Sequence, residues 1–282
     1  MVIPFLKMHG AANDFAVIDH RRPFLPPAAD ALGALVRRLC DRRRGIGADG
    51  VLLLEASPEA DAAMRYFNAD GGAADYCGNG ARCLARFALD LGLGAGGRLR
   101  LATAAGVQEA WRSPHGIQLH FGRVDAAGPV FAIEACGRGF AGRQVRAGVP
   151  HFVVPSEALE RVEVREWGGA LRRHPHFGRA GSNVDFVTRR GDGDVAMRTY
   201  ERGVEGETLA CGSGAIATAL WAAAEGATSP VRVRTAGGDV LIVGFEAVGA
   251  GFDVTLAGPA EVAFRGEWRD AGDDVPAPPG GA

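Results

Sequence analysis

The pentapeptide Cys-Gly-x-Gly-Ala occurs twice in this chain, at Cys77–Ala81 and at Cys211–Ala215. A helical pattern follows each copy, so each thiol stands just ahead of a helix, where backbone N–H groups lack intrahelical partners. Such a position stabilises an anion, either the thiolate itself or the carboxylate of a bound molecule. It also predicts a cysteine pKa below the usual value near 8.5. The glycines let the backbone approach a ligand closely.

Two thiols that face one ligand from opposite sides suit the inversion of a carbon that carries a hydrogen. A thiolate removes the proton from one face while a thiol delivers a proton to the other, and each turnover exchanges their protonation states. The N–H groups at the helix starts would stabilise the charge that develops on the adjacent carboxylate. The paired motif therefore predicts racemisation or epimerisation, with Cys77 and Cys211 as the acid–base pair.

Both motifs belong to a longer internal repeat. Met64 precedes the first motif cysteine by 13 residues and Met197 precedes the second by 14. Each following helix is predicted to end at a glycine 15 residues after its cysteine, at Gly92 and at Gly226. Two copies of strand, polar loop, motif and helix predict two similar domains.

Hydrophobic periodicity predicts a further helix and a series of short strands. The helix spans Ala28–Arg43, with Leu32, Leu35, Val36 and Leu39 on one face. Strands and turns are predicted from Leu99 to about Phe121. Other strands are predicted at Val51–Leu54, Met64–Phe67, Val184–Thr188, Val195–Tyr200, Val231–Thr235, Val240–Phe245 and Phe252–Leu256. The stretch from Asp270, rich in Pro, Gly and Asp, is predicted to be a disordered tail over 270–282.

The composition of the 282 residues excludes several classes of protein. The 31 basic and 33 acidic side chains leave a net charge of −2, which argues against a nucleic-acid partner or a polybasic membrane surface. No apolar run reaches the ~18 residues of a membrane span, and no signal peptide is recognisable, so a cytoplasmic protein is expected. The only lysine is Lys7, which argues against a pyridoxal Schiff base. No cofactor and no metal are expected.

Several other residues resemble functional motifs but have simpler interpretations. Cys40, Cys83 and Cys136 are interpreted as small buried hydrophobes, and the absence of a C-x-x-C pair indicates reduced thiols. The segment Gly45–Gly50 matches G-x-G-x-x-G, but a helix precedes it and a strand follows it, the reverse of a dinucleotide site. The histidines lack the spacing of metal ligands. The run Arg42–Arg44 is interpreted as the positive end of the first helix, with a role near a carboxylate left open.

Taken together, the motifs resemble the diaminopimelate epimerase family over most of the chain. The matching segments are Lys7–Phe15, Gly45–Gly50, Phe67–Gly71, Cys77–Arg82, Pro150–His151, Asn183–Phe186, Glu201–Gly203 and Glu207–Gly214. The resemblance implies an α+β fold of two pseudo-symmetric domains, each a mixed β-sheet wrapped around a central α-helix. It divides the chain into an N-terminal half at 1–117, whose last strand comes from 260–269, and a C-terminal half at 118–259.

The resemblance also implies functional residues and a reaction, the cofactor-independent epimerisation of LL-2,6-diaminopimelate to its meso form. Gly78, Asn79, Gly212 and Ser213 would bind the carboxylate of the reacting centre through backbone N–H groups. Asn13, Asn68, Asn183 and Arg202 would hold the distal amino-acid end, with Glu201 beside it and His151 as an accessory group. An arginine suits a distal carboxylate and asparagine amides suit both charged groups. A homodimer is implied as well.

Two departures from the family pattern keep alternatives open. Val149 stands where the family usually has asparagine, so one expected distal contact is missing. The stretch Gly203–Glu207 is one residue longer than the common form, which could shift Arg202. The nearest alternative is a related racemase or epimerase of another amino acid, of the proline, hydroxyproline or histidine type. The second is a thiol redox or carboxylate-binding protein without turnover.

Overall fold

A computed structural model describes residues 1–74, 76–191 and 193–270 of the chain, so the predicted tail beyond Asp270 lies outside the described residues. The strands are β1 Val2–Gly10, β2 Asn13–Asp19, β3 Gly50–Glu55, β4 Ala62–Asn68, β5 Ala73–Ala74, β6 Arg98–Thr103, β7 Gly106–Ser113, β8 Gly116–Asp125, β9 Val130–Ala135, β10 Arg138–Ala147, β11 Val149–Pro155, β12 Asn183–Arg189, β13 Val195–Glu201, β14 Gly206–Thr208, β15 Val231–Arg234, β16 Val240–Val248, β17 Gly251–Gly258 and β18 Glu261–Arg269. The α-helices are α1 Ala29–Cys40, α2 Gly78–Asp90, α3 Gly169–Arg172 and α4 Gly212–Ala224.

The pairing of the strands is duplicated. In the first set, β2 is parallel to β3, β4 lies antiparallel to both β3 and β5, β4 is parallel to β6, and β6, β7 and β8 are antiparallel neighbours. Strands β11 to β17 repeat each of these pairings in the same order and orientation. On the outer side, β1 and β10 are the matching antiparallel partners of β2 and β11. The internal repeat of the sequence is therefore a repeat of the fold.

Two pairings connect distant parts of the chain. β18, from near the end of the described chain, runs antiparallel to β1 and pairs Arg269 with Val2. β8 pairs antiparallel with β17 and so joins the two sets of strands. The division expected between residues 117 and 118 lies inside β8. The domain boundaries stay a prediction.

Each set of strands curves around one helix. The N-terminal core packs Ala81, Leu84 and Ala88 of α2 against strands of the first set, including Phe15 of β2 and Leu52 of β3. α4 occupies the same place in the second set, and Ala215, Ile216 and Leu220 lie in its core. A helix that is apolar nearly all round, as α4 is, requires cover on every side. The predicted fold class, two sheet-wrapped helices, is confirmed.

The helix ends follow the signals in the sequence, with one shift. Gly92 and Gly226 adopt φ of +78° and +88° just beyond α2 and α4, a conformation that suits glycine after a helix. α1 ends at Cys40, three residues before the predicted end at Arg43. There the Asp41 carboxylate accepts hydrogen bonds from the N–H groups of Arg43 and Arg44, both at 2.8 Å. This Asx-type turn replaces the last helical turn.

Truncation of Leu84 in α2 should test the central position of that helix. Its side chain is 0% exposed, so Leu84→Ala should lower the free energy of unfolding by about 2–5 kcal/mol because a cavity remains in the core. Leu91, just beyond the same helix, is 41% exposed, and Leu91→Ala is the matched control with an expected loss within about 1 kcal/mol. Urea denaturation of both variants measures the difference. Equal losses would contradict a core organised around α2.

Candidate active site

Both motif cysteines occupy the N-cap position of their helices, as predicted. Cys77 and Cys211 are extended, with φ/ψ of −142°/113° and −129°/116°, directly before α2 and α4. The Cys77 Sγ accepts a hydrogen bond from the N–H of Gly80 at 3.4 Å. The Cys211 Sγ lies 3.5 Å from the hydroxyl oxygen of Ser213. The two thiols therefore have equivalent backbone settings but different polar neighbours.

Close packing explains why the second motif carries glycine at Gly214. A Cβ on this residue would lie 2.6 Å from Oδ1 of Asp185 and 3.3 Å from the hydroxyl oxygen of Thr199. The start of α4 therefore presses directly against polar side chains of β12 and β13. At Gly80 in the first motif, a Cβ would lie 3.0 Å from the Leu52 side chain. The glycines allow each helix to begin against its sheet.

A pair of asparagines connects the two motifs. Oδ1 of Asn13 accepts hydrogen bonds from the Cys77 thiol at 3.6 Å and from Nδ2 of Asn79 at 3.3 Å. The same Nδ2 lies 3.3 Å from the carbonyl oxygen of Ala210, the residue before Cys211. The Asn79 amide thus contacts both Asn13, the hydrogen-bond partner of Cys77, and the residue that precedes the second motif. This link brings both helix starts into one site between the duplicated halves.

A network of charged side chains orients Asn13. Its Nδ2 donates to Oδ2 of Asp49 at 2.7 Å, so its Oδ1 faces the Cys77 thiol. Asp14 binds Lys7 at 2.7 Å and Arg42 at 2.8 Å, and Arg42 also reaches Asp49 at 2.8 Å. Burial opposes ionisation of Asp14, but the hydrogen bonds from Arg42 and Lys7 hold its pKa well below its usual range. The Gly45–Gly50 segment thus contributes a carboxylate to the site, and Arg42 does lie beside carboxylates.

A buried chain of polar groups leads away from the second thiol. Ser213 Oγ lies 3.0 Å from Nε2 of His151, whose Nδ1 lies 2.7 Å from Oδ2 of Asp185. The other oxygen of that carboxylate accepts a hydrogen bond from Thr199 at 2.7 Å. His151 and Asp185 are both 0% exposed. The chain Cys211–Ser213–His151–Asp185 is therefore sealed from solvent at its inner end.

Asn183 fixes the direction of the hydrogen bonds in this chain. Its Oδ1 accepts from the backbone N–H of Arg202 at 2.7 Å, so its Nδ2 donates to Nε2 of His151 at 3.2 Å. Because Nε2 accepts, the ring proton resides on Nδ1 and is donated to Asp185. The Ser213 hydroxyl and the Asn183 amide then share the one lone pair of Nε2, and the Ser213 oxygen can accept the Cys211 S–H. The network favours a protonated Cys211.

Burial dominates the electrostatics of both thiols. It raises the pKa of Cys77 to about 11, although the Gly80 N–H opposes the rise and Glu201 adds to it. Burial also raises the pKa of Cys211 well above its usual value, and the charges of Glu201 and Asp185 raise it further. The expected lowering of the thiol pKa values by the helix starts is therefore wrong. Removal from water outweighs the backbone donors.

Glu201, at the end of β13, influences both thiols through its charge. Burial in turn raises the pKa of its own carboxyl group. Asn68 holds the equivalent place at the end of β4, where its Oδ1 accepts the Tyr66 hydroxyl at 2.7 Å. Arg202 follows Glu201 and is half-buried. Gly78 and Gly212 begin α2 and α4. The roles assigned to these residues stay predictions.

The other cysteines and the histidines differ in their settings. Cys40 and Cys83 are buried as expected, but Cys136 is exposed, with φ of +49° in the turn between β9 and β10. That conformation places the side chain outside the core. His176 stacks on Phe131 with ring centroids 4.6 Å apart. The described part of the chain holds no cluster of three or more His, Cys, Asp or Glu side chains suited to a metal ion.

Two residues of the polar chain were missed by the sequence analysis, Asp185 and Thr199. A signal for Asp185 was present, because Asn183 and Asp185 are two residues apart and share one face of a strand whose other buried residues are apolar. Thr199 carries no comparable signal, since threonine is common in strands for its β-propensity alone.

Among helices in residues 1–74, 76–191 and 193–270, none combines the length and apolar character needed to cross a bilayer.

Solved structures with this fold include enzymes that act on amino acids. A probable proline racemase from Agrobacterium radiobacter K84 superposes with a TM-score of 0.70 at 18% identity, covering 97% of this chain and 94% of the other. A PhzF-family phenazine biosynthesis protein from Bacillus anthracis has a TM-score of 0.70 at 14% identity, covering 96% and 100%. At these identities the likeness concerns the fold. The fold therefore places the chain in a structural class that includes a probable proline racemase and a PhzF-family protein.

Sequence comparison narrows this class to one family. Residues 5–125 and 143–261 match the family model for diaminopimelate epimerase. The diaminopimelate epimerase of Aquifex aeolicus is 40% identical over 250 residues, covering 86% of this chain and 89% of the relative. That of Gemmatimonas aurantiaca is 40% identical over 279 residues, covering 93% and 98%. The chain belongs to the diaminopimelate epimerase family.

The ion pairs that orient Asn13 should make stability depend on pH. The folded pKa of Asp14 lies below its unfolded value near 3.9, so its contribution is present above about pH 4 and is lost as the pH falls further. Asp14→Asn should therefore destabilise the protein by about 1–3 kcal/mol at pH 7. The difference from wild type should shrink below about pH 4. Thermal unfolding between pH 3 and 8 measures both, and a constant difference would contradict the pairing.

Asp185→Asn should impair the reaction without unfolding the protein. An asparagine keeps the volume but can donate to Nδ1 of His151, which disturbs the tautomer that Asn183 and Asp185 now enforce. We expect kcat to fall about tenfold to a hundredfold with little change in KM, because a hydrogen bond to a charged group is lost. Thr199→Val removes only the second donor to this carboxylate and is the milder control. Equal kcat in wild type and Asp185→Asn would contradict this role.

Proposed function

We propose that this protein catalyses the epimerisation of LL-2,6-diaminopimelate to the meso form by proton transfer between Cys77 and Cys211, without a cofactor. One observation carries the mechanism: both thiols start helices of duplicated halves, and the Asn13–Asn79–Ala210 link joins those starts. Family membership supports the substrate, since the relatives in Aquifex aeolicus and Gemmatimonas aurantiaca carry the name diaminopimelate epimerase.

The reaction moves one proton off the substrate and another onto it. The thiolate takes the α-hydrogen, the C–H electron pair delocalises towards the adjacent carboxylate, and the opposite thiol gives its proton to the other face of the carbon. Burial supports this chemistry because a thiol whose pKa is raised gives a more basic thiolate once it ionises. Backbone N–H groups at Gly78, Asn79, Gly212 and Ser213 would stabilise the carboxylate charge, as oxyanion donors do.

Recognition of the distal amino-acid end would fall to polar residues around the same site. Arg202 would pair with the distal carboxylate, and Asn68 and Asn183 would bind through their amides. Asn13 would serve both ends, since its amide already contacts the Cys77 thiol. His151 would act through Ser213 on the second thiol. Val149 supplies no amide at its position, so the proposed distal contacts rest on the other four residues.

The proposal includes a homodimer in the cytoplasm that acts on a small-molecule amino acid and binds neither nucleic acid nor membrane. The family resemblance supports the dimer. Val262 and Phe264 of β18 are 39% and 50% exposed, which leaves apolar side chains available to a second copy. The net charge of −2 supports the absence of a nucleic-acid partner.

Solvent exchange tests the proposed reaction directly. Purified protein in D₂O, without added cofactor, should invert diaminopimelate and place deuterium at the α-carbon. Cys77→Ala and Cys211→Ala should each lower the rate of inversion by at least about a hundredfold, since a general acid or base is lost. Cys136→Ala, at an exposed thiol away from both helix starts, is the matched control and should behave as wild type. Nuclear magnetic resonance measures exchange, and chiral chromatography measures inversion.

The same experiment separates the alternatives. Faster inversion of proline, hydroxyproline or histidine than of diaminopimelate would replace the proposed substrate but keep the thiol pair. Binding or disulfide formation without exchange would indicate a protein without turnover. Wild-type inversion by Cys211→Ala would contradict the two-thiol mechanism.

A further inference from the structure

Arg82 is the largest fully buried side chain of the described residues, with 0% of its surface exposed. It directly follows the first motif, one helical turn beyond Asn79, on the inner face of α2. Nη2 donates to Oδ1 of Asn79 at 2.9 Å, and Nε donates to the carbonyl oxygen of Pro259 at 3.3 Å. Nη1 is buried without a hydrogen-bond partner. Among the ion pairs of the described residues, none includes Arg82.

Such a group is costly to bury, so its presence needs a reason. An arginine keeps its charge in a protein, and a buried charge without a counterion lowers stability. The fold itself does not need a cation here, because the equivalent position of the second half is Ile216, five residues after its cysteine as Arg82 is after Cys77. Ile216 is also 0% exposed. An apolar side chain therefore satisfies the same packing site.

We propose that Arg82 is a positioning residue of the two-thiol site. Its guanidinium orients the Asn79 amide across the boundary between the halves. It also favours the thiolate at Cys77 over the thiolate at Cys211. This inference rests on the proposed function, since it concerns the same pair of thiols.

The positioning of Asn79 follows from the directions of its hydrogen bonds. Because Arg82 can only donate, Oδ1 of Asn79 must face it and Nδ2 must point away. Nδ2 then reaches both Oδ1 of Asn13 and the carbonyl oxygen of Ala210, each at 3.3 Å. Without Arg82, Oδ1 of Asn79 would lose its donor, and only the two acceptors of Nδ2 would hold the side chain in place. The guanidinium thus enforces the link between the two motifs.

A glycine of the second half, Gly258, leaves space for the Arg82 guanidinium. A Cβ on Gly258 would lie 3.2 Å from Nε of Arg82 and 2.4 Å from the Leu241 side chain. The guanidinium therefore packs against β17 of the other half. It also bonds the carbonyl oxygen of Pro259, just beyond β17. Arg82 thus contacts both halves.

The charges around the two thiols are unequal. The charge of Arg82 favours ionisation of Cys77. The other ionisable groups that interact with Cys77 are neutral or negative: Glu201 on β13, Tyr66 on β4, Tyr76 before α2 and Cys83 on α2. Around Cys211, the carboxylates Glu201 and Asp185 both oppose ionisation. Both thiols have a hydrogen-bond acceptor, Oδ1 of Asn13 for Cys77 and the Ser213 hydroxyl for Cys211, so the neighbouring charges are what distinguish them. Among these ionisable groups Arg82 is the one whose charge favours the Cys77 thiolate, although burial and the Gly80 N–H have larger effects on the pKa of that thiol.

The test replaces the charge at nearly constant volume. Arg82→Met should lower kcat about tenfold to a hundredfold, as loss of a charged hydrogen bond implies. The midpoint pH at which iodoacetamide alkylates Cys77, read by peptide mass spectrometry, should rise by about one unit. The midpoint for Cys211 should not rise. The thermal midpoint should stay unchanged or increase, since an uncompensated buried charge is gone.

Two further variants complete the design. Arg86→Met, one turn further along α2 where Arg86 binds Asp90 at the surface, should leave kcat and both alkylation midpoints unchanged. Arg82→Lys keeps the charge but offers a single ammonium for the two acceptors, so it should keep the Cys77 midpoint and lose part of kcat. If Arg82→Met does not fold, the kcat of Arg82→Lys tests the proposal. A wild-type kcat in Arg82→Lys would overturn the positioning of Asn79.

The outcomes also distinguish this inference from the proposed function. Wild-type protein that shows no α-hydrogen exchange would defeat the proposed function, whatever the alkylation profiles show. Wild-type protein that exchanges, together with an Arg82→Met variant of unchanged kcat and unchanged Cys77 midpoint, would overturn the inference alone. A fall in kcat that accompanies a lower thermal midpoint, with no change in alkylation, would assign Arg82 a structural role and also overturn it.

Discussion

The site depends on the removal of two thiols from water where two helices begin: Cys211 is buried and Cys77 is half-buried. Removal from water raises the pKa values of Cys77 and Cys211, and the nearby backbone donors do not outweigh this cost. A dry site strengthens every remaining electrostatic interaction, so each neighbouring charge and amide matters more than it would at the surface. The polar groups that accompany the thiols must therefore satisfy one another. The Asn13–Asn79–Ala210 link and the His151–Asp185 pair meet that requirement.

The duplicated halves place the two cysteines in similar backbone geometry, and sequence differences between the halves give the cysteines different neighbours. The two halves repeat their strand pairings and both end a polar loop with a helix-capping cysteine. The residues around the cysteines nevertheless differ at equivalent positions: Asn13 and Val149, Phe15 and His151, Asn79 and Ser213, Arg82 and Ile216. The first thiol thus has amides and a cation as neighbours, and the second has a hydroxyl, a histidine and carboxylates. A symmetric fold holds an electrostatically asymmetric pair, which suits a reaction that needs one thiolate and one thiol.

The segment Gly45–Gly50 shows how one pattern of glycines can serve different purposes. A Cβ on Gly45 would lie 2.0 Å from the carbonyl oxygen of Arg38, and one on Gly50 would lie 2.4 Å from that of Phe67. These glycines permit backbone segments to pack against each other. Glycine is therefore required here for backbone packing and not for binding the phosphate of a dinucleotide. The result is an ordered turn that presents Asp49 to Asn13.

The sequence by itself determined the duplication, the two helices and the candidate reacting residues, because a repeated Cys-Gly-x-Gly before a helix-forming run is a local pattern. Family motifs in the sequence also identified Asn13, Asn79, Asn183 and His151, which the fold gathers around the thiols. Only the tertiary structure decided how the site is charged. The burial of Arg82 and Asp185, the link from Asn79 to Ala210 and the raised thiol pKa values all arise from contacts between residues far apart in the chain. Solvent exclusion is a property of the packed halves together, so no local pattern records it.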